Sequence, residues 1–150
     1  MTIRRGAEWG HVAEADPDWP MFSDDRSAAE YVSTSLGAAL LGAASLGAAS
    51  LGGAPAHRGP TIRLTGGDLF RSLGSPVVHD GTVRVVPVDA LVVTHDDETM
   101  LAVAHVVVRR AFWRGEVLVA MNATHVGALD LGPRAHPNDG LMDVTEGSLG

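Results

Sequence analysis

The chain has 150 residues, eleven basic against eighteen acidic, seven His, no Cys and a formal net charge of −7. That length builds one domain, or one domain with a fragment of another. The negative balance, with no basic stripe carrying aromatics, excludes nucleic acid as a partner and bulk-charge adhesion to anionic lipid. The absence of Cys excludes a disulfide framework, thiol catalysis and Cys-ligated zinc, and fits a cytoplasmic protein.

The opening, Met1 to Trp9, carries charge with no apolar run behind it and does not read as a secretory signal. A helix is expected from near Ser27, with Asp24 or Asp25 as its cap, lengthened through residue 54 by a low-complexity repeat. That repeat, LGAAL-LGAAS-LGAAS-LGGAP, sets Gly37, Gly42, Gly47 and Gly52 five apart. Its nineteen uncharged residues, Leu36 to Ala54, approach the length of a membrane span. Small side chains dominate, though, and acids rather than basic anchors precede it, so no stable span is expected.

Ala56 to Pro60 reads as a loop and Thr61 to Thr65 as a short strand. Asp68 to Leu73 opens a helix that Gly74-Ser75-Pro76 stops. From Val77 the period is that of strands: a turn at Asp80-Gly81, a Val-rich run from Val83 to Val93 in which Pro87 forces an edge or bulge, and an acidic hairpin loop from His95 to Thr99. Strands follow over Met100 to Arg110 and Glu116 to Ala123, a spacing that suggests antiparallel sheets packed together. The acids from Asp96 to Glu98 read as a solvated tip, and His105 as a hydrogen-bonded core or rim residue. His125 and His136 lie eleven apart with no third His nearby, which is poor for zinc. No Gly-x-Ser-x-Gly elbow is present. All eleven basic residues are Arg, which excludes a Walker loop ending in Lys. Arg71, Arg109, Arg110, Arg114 and Arg134 are left as phosphate clamps, and for Arg109, Arg110 and Arg114 the plainer reading is a solvated strand end and turn.

The densest stretch is MNATHVGALDLGPRAHPNDGLMDV, Met121 to Val144. Asn138-Asp139-Gly140 after Pro137 is strong turn chemistry, and Asp130, Asp139 and Asp143 sit on or beside it. Two readings stand: a hairpin corner with solvated acids, or a loop holding a hard cation such as Mg²⁺ on carboxylate, carbonyl and water oxygens.

Asn122, Gly127, Pro133, Ala135, Asn138, Asp139, Gly140, Leu141 and Asp143 follow a pattern that resembles the second domain of bacterial diacylglycerol kinases and related lipid kinases. A second block, Thr65-Gly66-Gly67-Asp68-Leu69-Phe70-Arg71-Ser72-Leu73-Gly74-Ser75-Pro76, is similar to that family's Gly-Thr-Gly-Asn-Asp-Phe-Ala-Arg-Ser-Leu-Gly-x-Pro segment. The blocks keep the family's order, and the likeness covers roughly Leu64 to Val144. It implies an α+β chain with two parts. Residues 1–76 would be a partial α/β nucleotide-domain remnant, and 77–150 an antiparallel, β-sandwich-like second domain. It further implies ATP-dependent phosphoryl transfer to a lipid hydroxyl. Thr65, Gly66, Gly67, Asp68 and Arg71 would line the nucleotide cleft. A structural Mg²⁺ would lie on Asp139 with the carbonyls of His136 and Leu141.

Departures accompany the matches. No Gly-Gly-Asp-Gly-Thr phosphate loop precedes residue 60. Gly67 stands for the family's Asn, and Leu69-Phe70 for Phe-Ala. Glu146 does not match the context of the catalytic Glu, so no catalytic residue is assigned. The expectation is a lipid-kinase relative that is degenerate, or that needs a longer reading frame, a second copy or a partner to complete its cleft. The alternative is a non-catalytic binding or regulatory module on the same fold. A cytoplasmic location, with peripheral membrane contact, fits either.

Overall fold

The computed structural model describes residues 10–44, 59–76, 81–109 and 114–149. It is a mixed α+β structure, rich in antiparallel strands. The first helix, α1 (Asp25–Ala44), starts where an Asp cap predicts. The Asp24 carboxylate accepts the Ser27 N–H at 2.8 Å and the Ser27 hydroxyl at 3.0 Å, so Asp24 is the capping residue. The helix kinks at Gly37, where the first glycine of the repeat takes φ 58° and interrupts the helical hydrogen bonding. The remainder of the repeat, 45–55, lies outside the described residues. Among the described residues no helix is long and apolar enough to cross a membrane.

Two short strands upstream have no counterpart in the sequence reading: β1 (His11–Glu14) and β2 (Met21–Phe22). The latter pairs in parallel with β3 (Arg63–Leu64), which hands the chain to α2 (Gly67–Ser72). The Val-rich run, expected to continue through an edge or bulge at Pro87, is instead two strands, β4 (Thr82–Val85) and β5 (Leu91–His95), with Pro87 in the stretch between them. β4 pairs with β1. β5 folds onto β6 (Glu98–Ala102) through a turn at Asp96-Asp97, so the expected acidic loop is shorter than His95–Thr99 and its ends are paired.

The strand expected over Met100–Arg110 is instead two, β6 and β7 (His105–Arg109). Val103 and Ala104 between them are buried, and Ala104 O accepts the N–H groups of Asn122 (2.8 Å) and Ala123 (2.9 Å). Main-chain satisfaction at that bend, rather than a glycine or proline, breaks the strand. A three-stranded antiparallel sheet follows, ordered β11 (Asp143–Leu149), β8 (Gly115–Met121), β7. A small hairpin, β9 (His125–Val126) with β10 (Leu129–Asp130), carries the chain toward the Gly-Pro-Arg corner.

The core joins Ala29 of α1 and Leu69 of α2 to Val103, Ala104 and Ala123, with Leu64, Leu73, Val88 and Leu101 packed around them. Contacts thus cross the boundary expected near residue 76, through this cluster and through the β1–β4 pair.

Candidate functional site

The two blocks singled out in the sequence meet. Asp68 opens α2, and its Oδ2 accepts the Gly127 N–H at 2.8 Å. Its Oδ1 accepts from Arg71 at 3.2 Å, and the same Arg71 nitrogen donates to the Gly127 carbonyl. One acid and one base from the first block therefore hold both main-chain groups of a glycine in the second. One turn further, the buried Ser72 hydroxyl donates to Asp68 O (2.7 Å) and accepts the N–H groups of Thr124 (2.9 Å) and His125 (3.3 Å). Thr124 O in turn accepts the N–H groups of Leu131 and Gly132, so the clasp reaches the Gly-Pro-Arg corner.

A carboxylate from α1 closes the other end. Asp25 Oδ2 accepts Asp68 N–H at 2.5 Å and Oδ1 accepts Leu69 N–H at 3.2 Å, satisfying the first amides of a helix with no side-chain cap of its own. Gly67 has φ 93°, and a Cβ there would lie 2.5 Å from Asp25 Oδ1, so this approach demands glycine. Burial pushes the Asp25 carboxyl above the ordinary carboxylate range, and the nearby Asp68 charge adds to that; the two amides and His105 pull the other way. Exposed Asp24 is held below that range by the Ser27 hydrogen bonds. His105 Nδ1 is buried without a hydrogen bond, 3.7 Å from Asp68 Oδ2.

Of the residues expected at a nucleotide cleft, Gly66, Gly67, Asp68 and Arg71 gather at this clasp. Thr65 is turned to β2, its N–H and hydroxyl both donating to Phe22 O. The expected metal residues form a second locus. Asp139 Oδ1 accepts Leu141 N–H at 2.9 Å, an Asx turn, and Asp89 Oδ2 accepts Gly140 N–H at 2.8 Å. Asp89 N–H donates to Pro137 O at 2.7 Å. Fully buried Asn122 donates to Asp89 O (2.7 Å) and Val103 O (3.2 Å), tying that loop to the core. Among the described residues no group of three or more His, Asp or Glu is arranged to hold a metal ion. Arg134 and Arg114 are exposed, and Arg110 lies outside the described residues.

Sequence reasoning missed Asp25 and Asp89 as partners of the two blocks. Their contacts span 43 and 51 residues, and no local pattern signals them. No family model, curated protein or solved structure matches the chain.

Proposed function

We propose that this chain is a diacylglycerol kinase-like lipid kinase relative, from a class that passes the ATP γ-phosphate to a lipid hydroxyl, and that its described residues form one wall of the cleft. One observation carries the reading. The two blocks that resemble the family, far apart in sequence, clasp each other directly through Asp68, Arg71 and Gly127. A chance likeness in two separate segments gives no reason for them to bond.

Mg²⁺ fits the second locus in donor chemistry. Asp139 spends one carboxylate oxygen on Leu141 N–H, and the carbonyls of His136 and Leu141 are the hard oxygens such an ion takes. When bound, the ion would cross-link the 136–141 loop; Asp89 and Asn122 hold that loop from the core side. ATP fits the first locus poorly. Asp25 already fills the amides at the head of α2, Asp68 adds a second carboxylate, and Arg71 is engaged. Phosphoryl transfer depends on donors and cations around the γ-phosphate, so no transfer step is derived from these residues.

That same Asp25 contact favours a second reading, a non-catalytic binding or regulatory module that keeps the fold. Calorimetric titration with ATP and Mg²⁺ separates the two, followed by transfer of labelled phosphate to diacylglycerol in mixed micelles. Saturable ATP binding in the micromolar to low millimolar range, weakened in Arg71→Gln, supports the kinase reading. A folded chain that binds no ATP at millimolar concentration leaves the module.

A further inference from the structure

Strand β11 forms one edge of the three-stranded sheet, with β8 as its sole sheet neighbour among the described residues. Asn122 N–H donates to Ala104 O at 2.8 Å, one step past the Met121–His105 partners, so the main chain at Asn122 faces β7. That direction alternates along an antiparallel ladder. Ala120 and Leu118 therefore also turn to β7, while Met121, Val119 and Val117 turn to β11 and take up the main-chain groups of Asp143, Thr145 and Gly147. Val144, Glu146 and Ser148 are left with theirs pointing outward, and among the described residues nothing bonds to them. Every residue from Val144 to Ser148 is exposed. The pairing with β8 runs one to one over seven residues, without a bulge, a proline or a lysine to spoil the outer edge for a further strand.

We propose that β11 receives an extended basic peptide, added antiparallel as a fourth strand of this sheet. An open edge supplies main-chain hydrogen bonds, and alternate side chains of the added strand supply specificity. Charge selects the occupant. Asp143 and Glu146 lie on β11, one on each face, and Glu116, the cross-strand partner of Ser148, shares the face of Glu146. A groove of about 470 Å³ on that face is lined by Glu116, Leu118, Glu146 and Ser148. Arg109 lies on β7, at the other edge of the sheet. Arginine or lysine opposite Asp143 and Glu146 makes the opposite-charge pairs that stabilise a ladder. Val144, 50 % exposed, takes an apolar neighbour. Gly147 leaves room for a broad one, since a Cβ there would have only Val117 Cγ1, at 3.8 Å, within 4 Å. A second copy on the same edge would set Asp143 and Glu146 against a strand with the same two acids, in chains of net charge −7, which disfavours self-pairing.

The test uses a fluorescein-labelled, end-capped hexapeptide reading threonine, phenylalanine, arginine, threonine, valine, arginine. Antiparallel addition puts its phenylalanine opposite Gly147 and its arginines opposite Glu146 and Asp143. Binding to the full chain is read by fluorescence polarisation at low salt. One isomer is N-methylated at the third and fifth residues, whose amides face β11, and the other at the second and fourth, whose amides face away. The expected result is saturable binding, kept within about twofold by the second isomer and weakened about tenfold or more by the first, the scale of two lost hydrogen bonds. Val144→Pro removes an outward N–H and leaves the β8 ladder intact, so it should lower affinity about threefold or more with an unchanged circular dichroism spectrum. If that variant does not fold, the isomer pair decides with the unaltered protein. The proposal is overturned by no saturable binding at millimolar peptide, by equal weakening of both isomers, or by a peptide with glutamates for arginines binding as tightly. A dimer in sedimentation that Val144→Pro disrupts would also overturn it, by giving the edge to a second copy.

Discussion

Removing one oxygen atom from Ser72 tests the clasp most directly. Ser72→Ala deletes a hydroxyl that accepts from the buried Thr124 N–H at 2.9 Å and from the His125 N–H at 3.3 Å. No described group replaces it, and a buried donor left unpaired costs about 1–3 kcal/mol. The Thr124 amide takes that cost in full and the His125 amide, less deeply buried, in part. The lost bond to Asp68 O adds little, since a carbonyl is easier to leave under-satisfied. The sum is about 2–3 kcal/mol. For a domain of this length that lowers the melting temperature by roughly 4–12 °C. Urea denaturation followed by far-ultraviolet circular dichroism gives the free energy, with an unchanged slope showing that the unfolding reaction is the same. A loss below about 0.5 kcal/mol, the range of ordinary surface changes, would refute the hub assigned to Ser72.

The two adjacent acids of α1 should titrate with opposite signs. Asp24, held low, contributes stability that is present above the unfolded carboxylate pKa, about 3.9, and is lost as pH falls through its folded value. Asp25, pushed up, contributes most below the unfolded pKa, and that contribution is lost as pH rises through its folded value. Denaturation from pH 3 to 6 should therefore show Asp25→Asn gaining on the wild type as pH climbs, and Asp24→Asn gaining as pH drops; parallel curves would contradict both. Gly67→Ala should destabilise by more than about 2 kcal/mol in chemical denaturation, since left-handed strain adds to a collision with Asp25. Mg²⁺ should raise the melting temperature of the wild type and leave Asp139→Ala unmoved; an equal rise in both removes the ion from that loop.

Much of the fold could be read from local signals, because local chemistry decides those elements. The Asp24 cap starts α1 and Gly74-Ser75-Pro76 ends α2. The elements that escaped are decided at long range. β1 is a strand because β4 lies beside it, and the break between β6 and β7 comes from Ala104 O serving Asn122 and Ala123. Neither leaves a Gly, Pro or period change behind. The candidate site divides in the same way. Its residue types stand in the Thr65–Pro76 and Met121–Val144 stretches, whereas the carboxylates that brace them, Asp25 and Asp89, come from places with no distinguishing pattern.

The helix that carries the clasp is six residues long, far below the length at which an isolated helix persists in water. It exists on loan from the rest of the molecule, through Asp25 on one side and Thr124 and Gly127 on the other. Its amides should therefore exchange with solvent only when chain segments more than fifty residues apart come loose together. A short helix of this kind reports on the whole fold. Hydrogen exchange at Leu69 would register any ligand that stabilises either block, wherever that ligand binds.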